Sequence, residues 1–209
     1  MRYNPAVLGL VLLLLASPSA GRAAPAAPRL EDVSAAIPDA VIDLRYTTAR
    51  NVTGHALYPP GARCLLQPAV AARLARAADR LRVRGFRLRL YDCYRPLSVQ
   101  RLLFARESRP GFVADPSRGG SHHNKAAAVD VGLVDLAGAD VALPTDFDEF
   151  TARARASAVQ GVAPEARAHR EALREAMMAA GFVASRSEWW HFSAPEARGS
   201  RLLDVPVDP

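Results

Sequence analysis

Two short segments carry residues able to do hydrolytic chemistry. They are Ser121-His122-His123-Asn124-Lys125-Ala126-Ala127-Ala128-Val129-Asp130 and, about sixty residues on, Glu188-Trp189-Trp190-His191. One-zinc hydrolases hold the metal through three His or Asp/Glu ligands and leave a fourth position to water, whose pKa falls toward about 7. His123, Asp130 and His191 supply three such ligands, and Glu188 supplies a base. Six residues separate His123 from Asp130, too many for one helical turn, so the expectation is a loop-end histidine and a strand-borne aspartate facing one Zn²⁺. Asp130 lies between Val129 and Val131, where an unpaired buried carboxylate costs several kcal/mol. A metal or an arginine must compensate it; a strand-end aspartate capped by backbone amides is the structural alternative. A lone Glu-x-x-His is a weak signal, but on a turn entering a strand it sets the imidazole on the metal and the carboxylate beside the attacking water. Trp189 and Trp190 read as core and pocket wall, and His122 is an alternative ligand. His55 and His169 read as structural or exposed.

A third motif, Tyr91-Asp92-Cys93-Tyr94-Arg95-Pro96, falls at the end of a predicted strand, a rigid place from which to aim a side chain. Arg95 there could hold the negative charge that develops on a tetrahedral intermediate. Its structural alternative is a pair with Asp92 or a helix C-terminus.

The elements that must position these residues follow from periodicity. Val70, Leu74, Ala77, Ala78 and Leu81 recur at helical spacing after Pro68, with Gly85 as the stop. Phe86 to Tyr91 alternates as a strand with one buried face, and Leu97 to Arg106, entered through Pro96, reads as a second helix. Ala40 to Tyr46 reads as a strand, Asn51 to Arg63 as a loop, and Ser108 to Gly120 as a loop delivering the chain to His123. Ala127 to Val134 is a small and β-branched strand, and Ala137-Gly138-Ala139-Asp140 before Val141-Ala142-Leu143 suggests a hairpin. Pro164 to Ala180 makes a long helix stopped by Gly181, after which Phe182-Val183-Ala184 and Trp189 to Phe192 return as paired strands. The sum is an α+β single domain with an antiparallel central sheet flanked by helices.

At 209 residues, half of them apolar, the chain suffices for one core. Arg2, the apolar run Ala6 to Ala16 and the small-x-small Gly21-Arg22-Ala23 read as an export signal over residues 1–23. Eleven apolar residues fall short of the about 20 that a spanning helix needs, and no Cys follows the run, so neither a membrane anchor nor a lipid anchor is expected. Residues 24–29 are a flexible Ala/Pro lead-in, and 30–209 the catalytic domain. The expected location is therefore periplasmic or secreted. In that compartment the two cysteines, Cys64 and Cys93, read as a disulfide. A nucleophilic Cys93 is disfavoured for want of a Cys-His signature. The net charge of +6 drops by two with Arg2 and Arg22, and the arginines lie among acidic residues on helices, with Lys125 the only lysine. That distribution excludes a nucleic-acid binder.

Taken together, Ser-x-His-x(6)-Asp, Glu-x-Trp-His and Tyr-Asp-x-Tyr-Arg-Pro resemble the VanX-type D-alanyl-D-alanine dipeptidases, relatives of zinc D-Ala-D-Ala carboxypeptidases and of the Hedgehog signalling domain. The resemblance spans Ile42 to Phe192. It implies one zinc on His123, Asp130 and His191, Glu188 as base, Arg95 as the transition-state arginine, Ser121 as a substrate contact, and Asp148 as the receptor of the free amino group. A carboxylate is the direct way to read a charged amine one residue upstream of the cleaved bond. The substrate implied is a small dipeptide. The competing readings are a peptidoglycan D,D-carboxypeptidase or endopeptidase on the same scaffold, and a zinc-binding module without catalysis. One departure stands out: the family's usual Gly three residues after the first ligand histidine is Ala126 here, which is strained if that position requires a positive φ.

Overall fold

The computed structural model describes residue 1, residues 29–107, residue 109 and residues 112–208. The expected export signal beyond Met1, and residues 24–28 of the lead-in, lie outside the described residues.

Strands β1 (Glu31–Asp32), β2 (Val41–Ile42), β3 (Leu65–Leu66), β4 (Phe86–Asp92), β5 (Ala128–Asp135), β6 (Val183–Ala184) and β7 (His191–Ser193) are interleaved with helices α1 (Val33–Ala36), α2 (Pro68–Arg82), α3 (Leu97–Arg106) and α4 (Pro164–Ala179). A five-stranded sheet runs in the order β2-β4-β5-β7-β6, and β1 pairs with β3 in a small separate sheet. The expected α+β architecture is present. Its central pairings are antiparallel, but the edge strand β2 runs parallel to β4.

Each long helix follows from its sequence. Proline opens both α2 and α4, at the first-turn positions where its missing N–H costs nothing. In α2 the apolar stripe Val70, Leu74, Ala77 and Leu81 is fully buried, and the helix packs against β4 and α4. Gly85 follows with φ +84, a left-handed conformation that lets the chain turn straight into β4. Gly132 in β5 has a different reason: a Cβ there would lie 2.4 Å from the Tyr91 hydroxyl, so only glycine permits this approach of strand and ring.

Three expectations are corrected. The predicted strand from Ala40 to Tyr46 shrinks to β2, because Arg45–Thr47 turn into a 3-10 helix. There Arg45 is buried and pairs with Asp43 and Asp146, at 2.9 and 3.1 Å. The hairpin after β5 reduces to one isolated bridge between Val134 and Asp140. The last strand begins at His191 rather than Trp189, since Trp189 instead buries its ring and donates its indole N–H to the Thr145 hydroxyl at 2.9 Å. The disulfide Cys64–Cys93 is formed, with a Cα–Cα separation of 5.2 Å. It ties the approach to β3 and α2 to the end of β4.

Candidate active site

The register of the sheet assembles the site. Asp92 on β4 lies opposite Asp130 on β5, and Asp130 lies opposite His191 on β7. Residues directly paired across strands share a face, so three polar side chains stand in one row at the end of a buried sheet. A register shift between Leu90 and Asp92 brings Asp92 into line, as bulges often do beside sites.

His123 reaches this row from a 3-10 turn, His122–Lys125. Ser121 caps the turn: its hydroxyl oxygen accepts from the His123 N–H at 3.2 Å, while the Asn124 side-chain oxygen accepts from the Ser121 N–H at 2.8 Å. The turn leaves through Ala126, whose φ of +52 and ψ of +34 are left-handed. The position does require positive φ, and alanine occupies it at a cost of about 1 kcal/mol. The loop is nonetheless kept, because Ala126 is wholly buried and its N–H is bonded to the His123 carbonyl at 3.0 Å.

The His123 Nδ1 donates to the Cys93 carbonyl at 2.6 Å, which leaves a lone pair on Nε2. That nitrogen lies 3.3 Å from Asp130 Oδ1 and 3.1 Å from His191 Nδ1, and His191 Nδ1 lies 2.9 Å from the same Asp130 oxygen. A lone pair aimed at a carboxylate oxygen is repulsive unless a cation or a proton lies between them. Two imidazoles and a carboxylate converging in this way fit a metal ion. The other His191 nitrogen is held by the Ser193 hydroxyl at 3.1 Å, the kind of outer contact that orients a ligand ring. Burial alone would push the His123 imidazolium down. The Asp130 and Asp92 carboxylates outweigh it and hold its pKa above the ordinary value. Burial would likewise raise Asp130, but His123 and His191 keep it well below the usual carboxylate range. His122 is not part of the cluster; its Nδ1 bonds the Ser193 hydroxyl at 2.9 Å. His169 bonds the Ala142 carbonyl, and His55 is exposed on its loop.

Arg95 and Asp92 form a second layer. The Arg95 Nε and one terminal nitrogen donate to Asp92 Oδ2 at 2.9 and 2.6 Å, and that terminal nitrogen lies 3.8 Å from Asp130 Oδ2. The expected pair of Arg95 with Asp92 is present, and the guanidinium also faces the cluster. Its guanidinium stands over the Tyr46 ring at 4.9 Å.

These groups open on a cleft of about 750 Å³ whose walls include Ser121, Asp148, Glu188, Phe112, Phe150 and Trp190. Asp148 is buried, sits at φ +59, and accepts from the Tyr46 hydroxyl at 3.0 Å and the Val52 N–H at 3.2 Å. Burial pushes it up to about 7 against the Val52 bond, with the Asp130 charge adding to the rise. Glu188 is also pushed up to about 7 by burial. His191 opposes that shift, and Asp130 and Asp148 reinforce it. All seven predicted catalytic, ligand and substrate-binding residues thus line one cleft. Sequence reasoning missed Tyr46 and Gln100. Tyr46 falls within the predicted strand from Ala40, and nothing in its neighbourhood marks it as facing Asp148. Gln100 is an unremarkable polar residue of α3 in sequence and is fully buried in the fold.

A convergent His/Asp/His group beside the buried Asp148 and half-buried Glu188 carboxylates, at the end of a mostly antiparallel sheet, defines a metal-dependent hydrolase in class. The chain belongs to the D-Ala-D-Ala dipeptidase family, the M15 peptidases, whose family model matches residues 26–208. It is a peptidase, and that family is metal-dependent. It is 37% identical over 174 residues to a D-alanyl-D-alanine dipeptidase of Escherichia coli K12, a match covering 83% of this chain and 89% of the relative. Enzymes of the same name from Enterococcus faecalis and Streptomyces coelicolor are 27% and 28% identical, over 78% and 79% of this chain and 86% and 91% of theirs.

Proposed function

We propose that this chain is an exported zinc dipeptidase that hydrolyses D-alanyl-D-alanine, with residues 1–23 as export signal, 24–29 as lead-in and 30–209 as catalytic domain. The observation that carries the reading is Asp148: a buried carboxylate on the same cleft as the His123, Asp130 and His191 group. A group this poorly solvated is stabilised as an anion by a cation, and the free ammonium of a dipeptide is one. The same recognition disfavours a longer chain, whose amide nitrogen at that point carries no charge.

His123, Asp130 and His191 would hold the ion. Their donor atoms are 2.9 to 3.3 Å apart, near the spacing of about 3.3 Å that bonds of about 2.05 Å impose in a tetrahedral zinc site. When bound, the metal supplies Lewis-acid polarisation of the peptide carbonyl and acidifies a water molecule. Glu188 takes the proton of the attacking water and passes it to the departing amine, for which a pKa near the working pH is suited. Arg95 offers its guanidinium N–H to the oxyanion of the tetrahedral intermediate. Ser121 contributes to holding the substrate at the cluster's edge, while Asp148, oriented by Tyr46 and Val52, fixes the amine.

Export is supported by the signal-like start of the sequence and by the disulfide. No helix among the described residues is long and apolar enough to cross a membrane. Outside the inner membrane the enzyme would degrade dipeptide released in cell-wall turnover; fractionation that finds the protein in the cytoplasm overturns this location and role. A second reading, a D,D-carboxypeptidase, is favoured by the cleft volume of about 750 Å³, which exceeds what two alanines fill.

The deciding experiment measures alanine released from D-Ala-D-Ala, L-Ala-L-Ala and N-acetyl-D-Ala-D-Ala by zinc-loaded protein, with Glu188→Ala alongside. Cleavage of the free D,D-dipeptide alone is expected. Preference for the acetylated substrate would establish the carboxypeptidase. No cleavage with one zinc bound would leave a binding module.

A further inference from the structure

The buried amide of Gln100 has no part in the chemistry described so far, yet it occupies a singular position. Its side chain is fully buried at the start of α3, with its oxygen 2.9 Å from a terminal nitrogen of Arg95 and its own nitrogen 2.7 Å from the Ala114 carbonyl. Neither contact can be reversed. A guanidinium only donates and a carbonyl only accepts, so the amide is locked in one orientation by its two partners. Ala114 belongs to the cleft wall, together with Phe112 and Val113.

Arg95 is held on its other edge by Asp92 alone, both contacts going to the one oxygen Oδ2. A guanidinium anchored on a single oxygen can swing about it. The nearest other anion is Asp130, 3.8 Å away. Gln100 supplies the second anchor that keeps the guanidinium from turning onto this carboxylate. It also ties the arginine to the wall that faces the substrate.

We propose that Gln100 is a positioning residue for catalysis: it fixes the angle at which Arg95 meets the oxyanion and couples that angle to the Phe112–Ala114 wall. The assignment rests on the dipeptidase reading, in which Arg95 acts on the transition state. It makes a specific demand. Losing Gln100 must slow the chemical step while leaving the amine site at Asp148, and hence dipeptide binding, intact.

The test compares the near-isosteric Gln100→Met with Gln100→Glu in the zinc-loaded full chain, with D-Ala-D-Ala as substrate and melting temperature recorded for each. Gln100→Met removes both contacts, whereas Gln100→Glu keeps an acceptor for Arg95. Gln100→Met should lower kcat by about 10- to 100-fold, the effect of losing a buried contact to a charged group, with KM within about threefold of wild type. Gln100→Glu should restore most of the lost kcat, whatever its effect on the wall. Gln100→Met in an Arg95→Ala background should cost less than about threefold, because the group it positions is gone.

The assignment is overturned if Gln100→Met keeps wild-type kcat, if the loss falls on KM, if Gln100→Glu is as impaired as Gln100→Met, or if the loss persists without Arg95. Should Gln100→Met fail to fold, the kcat of Gln100→Glu decides by itself: near wild type supports the role, and a loss beyond tenfold refutes it. A wild-type enzyme that does not cleave the dipeptide refutes the underlying substrate reading, and this assignment with it, before any variant is compared.

Discussion

The two sides of the cleft use the same residue types under opposite electrostatics. On the strand side, Asp92 and Asp130 are buried but compensated: Arg95 and Tyr58 serve the first, His123 and His191 the second. On the loop side, Asp148 has among the described residues only the Tyr46 hydroxyl and the Val52 N–H, and burial raises both it and Glu188 to about 7. The difference teaches which carboxylates are complete in the fold and which await a partner. A paired anion holds a structure or a metal; an unpaired one is poised to take a proton or an ammonium.

The largest effect that would break this contrast comes from its two centres. His123→Ala should abolish activity and metal binding together, whereas Glu188→Ala should keep the metal and lower kcat by about 10² to 10⁴-fold. Metal stoichiometry beside turnover separates them, and loss of the ion in Glu188→Ala would place Glu188 among the ligands.

Asp148→Asn sharpens the contrast next. The amide oxygen can still accept from Tyr46 and Val52, but it no longer attracts an ammonium, so kcat/KM for the free dipeptide should fall about 100-fold or more. Stability should move the other way. Asp148 is raised from 3.8 to about 7 in the fold, so the native state binds the proton more tightly than the unfolded chain and loses stability as pH rises between these values. In metal-free protein the variant should match wild type below pH of about 4. Above about pH 7 it should exceed wild type by up to about 4 kcal/mol. Denaturant midpoints across that range check it; a constant difference at every pH would show that Asp148 is not held protonated by the fold.

A third change tests the strand side. Replacing both cysteines by Ser removes a crosslink across a sequence separation of 29 and should cost about 3 to 4 kcal/mol by the chain-entropy account. Unfolding measurements would read the loss. Because Cys93 lies between Asp92 and the carbonyl-bonded His123, metal affinity should weaken along with it.

The smallest effect is expected at Ala126. Ala126→Gly relieves a left-handed alanine but loses a buried methyl group and gains unfolded-state entropy. These contributions nearly cancel, so the net change should lie within about 1 kcal/mol of zero, with kcat unchanged.

Much of this was legible in the sequence because it is written in short-range patterns. The stripe from Val70 to Leu81 with its flanking Pro68 and Gly85 marks α2, and alternation marks β4. Three motifs with fixed internal spacing bring forward His123, Asp130, His191, Glu188 and Arg95. Less legible were elements governed by burial of a charge. Arg45 turns the chain out of β2 because its guanidinium pairs with Asp146 about a hundred residues away, a contact no local pattern announces. The expected hairpin after β5 failed for a related reason: glycine and alternation permit a return strand, but the chain pairs back only at the Val134–Asp140 bridge among the described residues, and Val141 and Leu143 pack against the core without joining the sheet.

By itself, then, the sequence determined which residues are competent for chemistry, since imidazole, carboxylate and guanidinium have properties that travel with the residue. It also determined the helices and strands whose periodicity is local. Only the tertiary structure decided how those groups are charged and aimed. The row Asp92, Asp130 and His191 depends on the register of three strands, and the rise of Asp148 and Glu188 depends on what surrounds them. The second anchor of Arg95 depends on a glutamine with no mark in the sequence. Coulomb and desolvation energies are set by distances through space, and distances between residues far apart in the chain exist only once it has folded.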